Sequence, residues 1–338
     1  MPRKRFRLEL KQETIHLGDR TLIFHTTKLP RLEEPEQPFR ELDALAAQAV
    51  QAAARGADVL DLSAMSLNPA RWPVSAEVEL RSVIPMVKRL RKENIPWISV
   101  TTCHAAVAAQ ALQAGATFIN DPSGLKIDPE LAPAVSQHDG ALIIAHMRET
   151  PAVWQQLSPL HDPVNEALVV LSANVNRALR AGVPRTRILV DPGLGLGKRK
   201  EENSQILGHY ARLREIEYPV VITVAGKLFG GDAVPDGAEA AELAAASFAI
   251  QAGVHGIRGF RTTDYRAMAN VIDPLLIARG LDADSRPRRP FAPARPRTGG
   301  ARPMLGREGA SSRSGELPPL RPPLRSEARP VEGARDPG

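Results

Sequence analysis

The sequence predicts an α/β fold: a (β/α)8 TIM barrel, eight parallel strands closed on themselves and ringed by helices. Three observations lead there. Short apolar runs alternate with helical patterns without a break from Thr21 to Arg279. The alternation makes eight strand-helix units in about 260 residues, the usual size of such a barrel. Polar residues able to do chemistry gather where the apolar runs stop. An open doubly wound sheet accounts for the first observation equally well.

The elements follow in order. Thr21 to His25 reads as the first strand, and Arg40 to Arg55 as an Ala-rich helix. Ala57 to Leu62 is the second strand. Ser75, followed by Glu77 and Glu79, caps a helix whose Val83, Ile84, Val87 and Leu90 recur at helical spacing. Pro96 to Val100, Ala116 to Ile119 and Ala141 to Ile144 are the next strands, with helices near His104 to Ala114 and Pro129 to Gln137 between them. A helix from Pro163 to Ala181 leads to the strand Arg187 to Val190. Helices near Glu202 to Arg214 and Gly237 to Ala252 precede the strands Pro219 to Thr223 and Gly256 to Arg258. A last helix spans Thr263 to Arg279.

Charge divides the chain. The net charge is +6, and residues 283–338 hold 12 Arg against 6 Asp and Glu. That leaves residues 1–282 with 32 basic and 32 acidic side chains, a neutral body. The C-terminal stretch also carries 11 of the 30 prolines. It has too few large apolar residues to bury a core, so 283–338 is expected to be a disordered Arg/Pro-rich tail and 1–282 the barrel. Nucleic acid is not the expected partner, since the excess charge lies in a solvated extension. A single cysteine, Cys103, and the lack of any membrane-length apolar run predict a cytoplasmic protein without membrane contact.

The most informative stretch is Asp191-Pro-Gly-Leu-Gly-Leu-Gly-Lys198, directly after an apolar strand. Its carboxylate stands at a strand's carboxyl end, where barrels bind ligands. A phosphate loop would need Gly at Pro192 and Ser or Thr after Lys198, and a dinucleotide fingerprint would need Gly at Lys198. Other strand ends carry Thr26 and Thr27, Asp61 and Ser63, Thr101 and Thr102, Asn120 and Asp121, His146, Lys227 and Arg258. Asp, Asn, Lys and Arg converging on an apolar floor suit a flat, amide-rich heterocycle. Taken singly, each could equally cap a turn or pair on the surface. No His/Cys cluster of zinc type is present, and the adjacent pair Cys103-His104 lacks the geometry of a nucleophile and its base.

These residues resemble the dihydropteroate synthase family from about Gly18 to Leu276. The stretch at Asp191 is similar to the family's Asp-Pro-Gly-Phe-Gly-Phe-Gly-Lys. Ile119-Asn120-Asp121 matches Ile-Asn-Asp, His146-Met147 matches a His-Met pair, and Ile98-Ser99-Val100-Thr101-Thr102 stands where the family has Ile-Ser-Val-Asp-Thr. The resemblance implies a pterin-binding (β/α)8 barrel of folate biosynthesis, a transferase joining dihydropterin pyrophosphate to p-aminobenzoate. It also implies a homodimer. It places the pterin on Asn120, Asp191, Lys227 and Arg258, with Met147 packing against the ring.

Other family positions are replaced. A pterin-binding Asp becomes Thr101, and a carboxylate restored there is expected to tighten pterin binding. The Asn associated with magnesium becomes Thr27, so no metal ligand is assigned. The Thr-Arg of the second loop becomes Leu67-Asn68, and the His of Arg-x-His becomes Phe260. The pterin floor is partly kept while the groups that would stabilise departing pyrophosphate are largely gone, unless Lys28, Arg31 or Arg71 takes over that anion. Two further readings are a non-catalytic paralogue that binds a pterin or a protein partner, and a pterin-dependent methyltransferase.

Overall fold

The computed structural model describes residues 4–11, 13–36, 38–229 and 237–284. Residues 285–338, and with them almost all of the predicted tail, lie outside the described residues. The barrel strands are β3 (Leu22–Lys28), β4 (Val59–Ser63), β5 (Ile98–Thr101), β6 (Phe118–Asp121), β7 (Ala141–Ala145), β8 (Ile188–Asp191), β9 (Val221–Thr223) and β10 (Gly256–Gly259). They are preceded by a two-stranded antiparallel hairpin, β1 (Phe6–Glu9) and β2 (Thr14–Leu17).

All barrel pairings are parallel, in the order β8-β7-β6-β5-β4-β3-β10-β9. The bridge Val190↔Val220, with Val190 N donating to Pro219 O at 2.9 Å, brings β8 to β9 and completes the ring. The barrel therefore prevails over the open sheet.

The helices are α1 (Leu42–Ala54), α2 (Ala76–Lys92), α3 (Ala105–Ala114), α4 (Leu131–Gln137), α5 (Pro163–Arg180), α6 (Lys200–Gly208), α7 (Tyr210–Leu213), α8 (Gly237–Ala252) and α9 (Thr262–Asp284). Ser75 caps α2 as expected, accepting from Val78 N at 3.4 Å. The single helix expected near Glu202 to Arg214 is two, separated at His209. Gly208, a poor helix former, precedes the break.

Strand alternation sorts side chains into two phases. Leu22, Phe24, Val59, Phe118, Ile143 and Leu189 share an inner cluster with the hairpin residues Leu8, Leu10, Ile15 and Leu17. Ile23, Leu60, Leu62, Val100 and Ile119 belong to the outer cluster with the helices. The hairpin sits at the strands' amino end. Trp97, just before β5, donates its indole N–H to Glu13 at 2.6 Å, and Thr186, just before β8, donates to Glu9 at 3.1 Å. The hairpin thus fills the bottom of the barrel with apolar side chains, and polar residues are left to the carboxyl end.

Leu8 is fully buried in that plug. Leu8→Ala is expected to lower unfolding free energy by about 2–5 kcal/mol in a urea titration. A loss under about 1 kcal/mol would mean that the hairpin is not part of the core.

Candidate active site at the mouth of the barrel

Register brings the polar strand ends into one ring. Thr26 pairs with Asp61, Thr101 with Asn120, Ala145 with Asp191, and Arg258 with Thr223. All share the inner phase set lower down by the apolar residues.

Asp61 is the hub on one side. Its carboxylate has no solvent exposure. The Thr101 hydroxyl lies 3.0 and 3.1 Å from its two oxygens, and Thr26 donates to Oδ2 at 3.4 Å. Arg258 Nε stands 3.9 Å from Oδ2, an ion pair too long to be a hydrogen bond. Asn120 Nδ2 donates to the Thr101 hydroxyl at 3.0 Å. The Thr101 hydroxyl is therefore engaged both as donor and as acceptor.

The carboxylate expected to tighten binding at Thr101 would stand beside the Asp61 carboxylate. Placed against Asp61, it would form a pair of acids that cannot both ionise at no cost.

Asp191 anchors the other side. Gly193 N donates to its Oδ1 at 2.7 Å and the Thr223 hydroxyl to its Oδ2 at 3.0 Å. Burial raises its pKa, opposed first by the Arg258 charge and then by those hydrogen bonds and Lys198. Arg258 thus serves both acids, and it is itself buried.

The glycine loop is shaped around Asp191. Gly193 has φ +68°, and a Cβ there would stand 2.1 Å from His146 O. No other residue fits that approach. Lys198 Nζ donates to His146 O at 2.7 Å and Gly193 O at 2.8 Å, tying the loop to the end of β7. Burial pushes its pKa down to about 7, with Asp191 opposing. Asn203 accepts from Gly195 N at 2.9 Å and donates to Leu228 O at 3.1 Å. Lys198 and Asn203 are positioning residues that the sequence reading left without a role. The signal was a lysine closing a glycine run.

Of the expected pterin residues, Asn120, Asp191 and Arg258 stand together. Met147 is buried in a small apolar cluster with Ala145 and Leu196, against which Trp72 and Trp154 pack. Lys227 is exposed on the 3-10 turn Gly226–Phe229 after β9, outside the hydrogen-bonded network. Its neighbour Leu228 lies against the glycine loop. His146 is packed without exposure, and burial pushes its pKa down to about 2. Cys103 is buried, which raises its thiol pKa, with Asp121 adding to the rise.

The replaced positions are equally informative. Thr27 lies one residue out of phase with Thr26, on the helix-facing side with His25, which contacts Thr262 at the start of α9. Its buried hydroxyl has no hydrogen-bond partner. A lone neutral oxygen facing away from the mouth does not fit a magnesium site, which calls for carboxylates or an amide oxygen. Among the described residues no group of three or more His, Cys, Asp or Glu side chains could hold a metal ion. Asn68 turns its Oδ1 onto Ala70 N at 3.0 Å and so caps a short turn. Leu67 and Phe260 are exposed, Phe260 by 49%.

A family model described as "Pterin binding enzyme" matches residues 35–259. The chain is 34% identical to the dihydropteroate synthase of Mycobacterium leprae over 226 residues, 65% of this chain and 79% of that one. The chain belongs to the dihydropteroate synthase family of pterin-binding enzymes. The Synechocystis dihydropteroate synthase is 36% identical over 194 residues, covering 57% of this chain and 67% of its own.

Among solved family structures, that of Thermus thermophilus dihydropteroate synthase with 4-aminobenzoate has a TM-score of 0.68 at 29% identity. The alignment covers 80% of this chain and 99% of that one. The Xanthomonas albilineans enzyme in complex with 7,8-dihydropteroate has a TM-score of 0.67 at 28% identity over 80% of this chain and 98% of that one. The family expectation from the sequence and the TIM-barrel fold are both borne out. Among the described residues no helix is long and apolar enough to cross a membrane.

Glu79 on α2 lies behind this site, beside Thr102. It is 1% exposed, and one carboxylate oxygen has no hydrogen-bond partner. Burial raises its pKa to about 7, against a hydrogen bond from Thr102 and the charge of His104. A raised carboxyl pKa means that the folded state holds the proton more tightly than the unfolded chain. Stability is then lost as pH rises from about 4.5 to about 7. Glu79→Gln is expected to raise the unfolding free energy by roughly 2–3 kcal/mol at pH 8 and to change little at pH 4.5. An equal effect at both pH values in denaturant titrations would contradict this.

Proposed function

We propose that the protein binds a pterin in the barrel mouth on Asn120, Asp191 and Arg258, with Met147 beneath the ring and Lys227 at the edge. We propose further that it joins dihydropterin pyrophosphate to p-aminobenzoate very slowly, if at all.

One observation carries the binding reading. In a mouth where Asp61 and Thr101 satisfy each other, Asn120 Oδ1 and Arg258 Nη2 are buried without hydrogen-bond partners. Orphaned buried groups of this kind are costly unless a ligand or water completes them. A free acceptor and a free donor, with the Asp191 carboxylate in the same ring, complement the alternating N–H and carbonyl edge of a pterin. Family membership, and relatives solved with 7,8-dihydropteroate and 4-aminobenzoate, support the same choice.

The chemistry is a different matter. Loss of pyrophosphate needs preorganised donors where charge develops, and each missing donor costs about 3–4 kcal/mol of barrier. At the corresponding positions Asn68 caps its own turn, Leu67 has no donor, Phe260 is a hydrocarbon ring, and Thr27 faces away from the mouth. The binding floor is supported and the leaving-group apparatus is not. A cytoplasmic location fits the single, buried Cys103.

Titration calorimetry with a neutral pterin tests the site. Asp191→Asn removes a charged acceptor and is expected to weaken binding about ten- to hundredfold without unfolding the barrel. Binding that is absent from the parent protein, or unchanged in Asp191→Asn, would remove this site from consideration.

A further inference from the structure

Beside Asp191 the mouth carries an apolar patch that is covered. Ala145 pairs with Asp191 in register, and Met147 follows two residues on. With Leu196 of the glycine loop they form a cluster of their own, in which Met147 is only 1% exposed. Two indoles provide the cover. The short turns Pro69–Arg71, after β4, and Pro151–Gln156, after β7, lie against each other and bring Trp72 and Trp154 onto the cluster.

The two indoles are held differently. Trp154 donates its N–H to Glu149 O at 2.6 Å, and its ring stands 3.0 Å from where a Cβ on Gly197 would lie. Trp72 carries no such hydrogen bond among the described residues and rests on the cluster by packing alone. The chain on either side of it is fixed. Asn68 caps its own turn, and His104 Nε2 lies 2.8 Å from Val74 O, next to the Ser75 cap of α2. The Trp72 side chain can therefore swing away between two fixed points while the loop keeps its course.

We propose that Trp72 is an internal competitor of the ligand: its indole occupies the apolar seat beside Asp191 and must be expelled before a flat ring lies there; this rests on the pterin reading. A methionine 1% exposed lies beneath a ligand ring only when its cover leaves, and of the two covers Trp72 is the one without a tie. The covered arrangement has its own stability, since an indole buries a large apolar face and sulfur packs well against aromatic rings. A ligand's apparent dissociation constant is its intrinsic value divided by the binding-competent fraction. With Trp72 seated in about nine molecules of ten, affinity falls about tenfold. The polar contacts at Asn120, Asp191 and Arg258 are untouched, so Trp72 sets how tightly the ring is held and leaves its orientation to them.

The test is calorimetry with neutral hydroxymethylpterin on the full chain and its Trp72→Ala and Trp72→Phe variants, each shown to be folded by urea titration. Trp72→Ala is expected to bind about tenfold or more tighter than the parent, chiefly through faster association, and Trp72→Phe to fall between. A second readout follows the indole itself. In protein labelled with fluorotryptophan, the fluorine resonance missing from Trp72→Phe should move toward the solvent-exposed position on saturation with pterin, while that of Trp97, at the far end of the barrel, stays. Unchanged affinity in Trp72→Ala, or a Trp72 resonance that does not move, overturns the proposal and leaves the pterin reading intact. Weaker binding by Trp72→Ala also overturns it and makes Trp72 a wall that stacks on the ring. Binding by Trp72→Ala and not by the parent upholds both. If neither binds, the pterin reading fails and the competitor falls with it.

Discussion

The upper layer of this barrel depends on one buried carboxylate. Asp61 has no exposure to water, and a charge so placed is tolerable only with partners at hand. Two threonine hydroxyls and the Arg258 guanidinium supply them. Meeting that need fixes the rest of the ring. Thr101 is turned toward Asp61 and receives Asn120, which leaves Asn120 with its carbonyl oxygen free. Arg258 is drawn between Asp61 and Asp191, which leaves one end of its guanidinium free. The groups left over by the internal bonding are the ones the proposed pterin would meet.

Below and beside this ring, the fold removes other freedoms. The hairpin closes the lower end with leucines and an isoleucine, so chemistry is confined to the carboxyl end. On the far side, Lys198 is buried at the back of the glycine loop and spans two carbonyls, holding Asp191 where Gly193 and Thr223 can bond it. A lysine whose pKa is pushed down to about 7 is an expensive clasp. Its position beside Asp191 offsets part of that cost.

Much of this could be read from the sequence, for reasons that can be named. Eight apolar runs alternating with helical patterns define a barrel, and a barrel puts its ligands at strand ends. Asn120, Asp191 and Arg258 were legible because each directly ends or follows such a run. The hairpin was missed although Phe6, Leu8 and Leu10 alternate with charged residues, since its strands are only four residues long. Thr27 shows the opposite limit. A motif locates it to within one residue, and one residue in a strand is the difference between facing the mouth and facing a helix. The contact of Lys28 with the Phe260 ring joins strands more than two hundred residues apart in sequence, and only the closed ring makes them neighbours. Saturation of the Thr101 hydroxyl likewise depends on register between three strands.

In the proposed reading Asn120, Asp191 and Arg258 hold the pterin, while at the positions proposed to handle pyrophosphate Asn68 caps its own turn and Leu67 and Phe260 are apolar. The most direct measurement is dihydropteroate formation by the purified protein from dihydropterin pyrophosphate and p-aminobenzoate, at saturating substrates with and without magnesium. The account predicts turnover far below about 1 s⁻¹, the low end of ordinary enzymes, with no rescue by the metal. Turnover at or above that rate would contradict it and show that the rewritten loops carry a leaving-group site of their own.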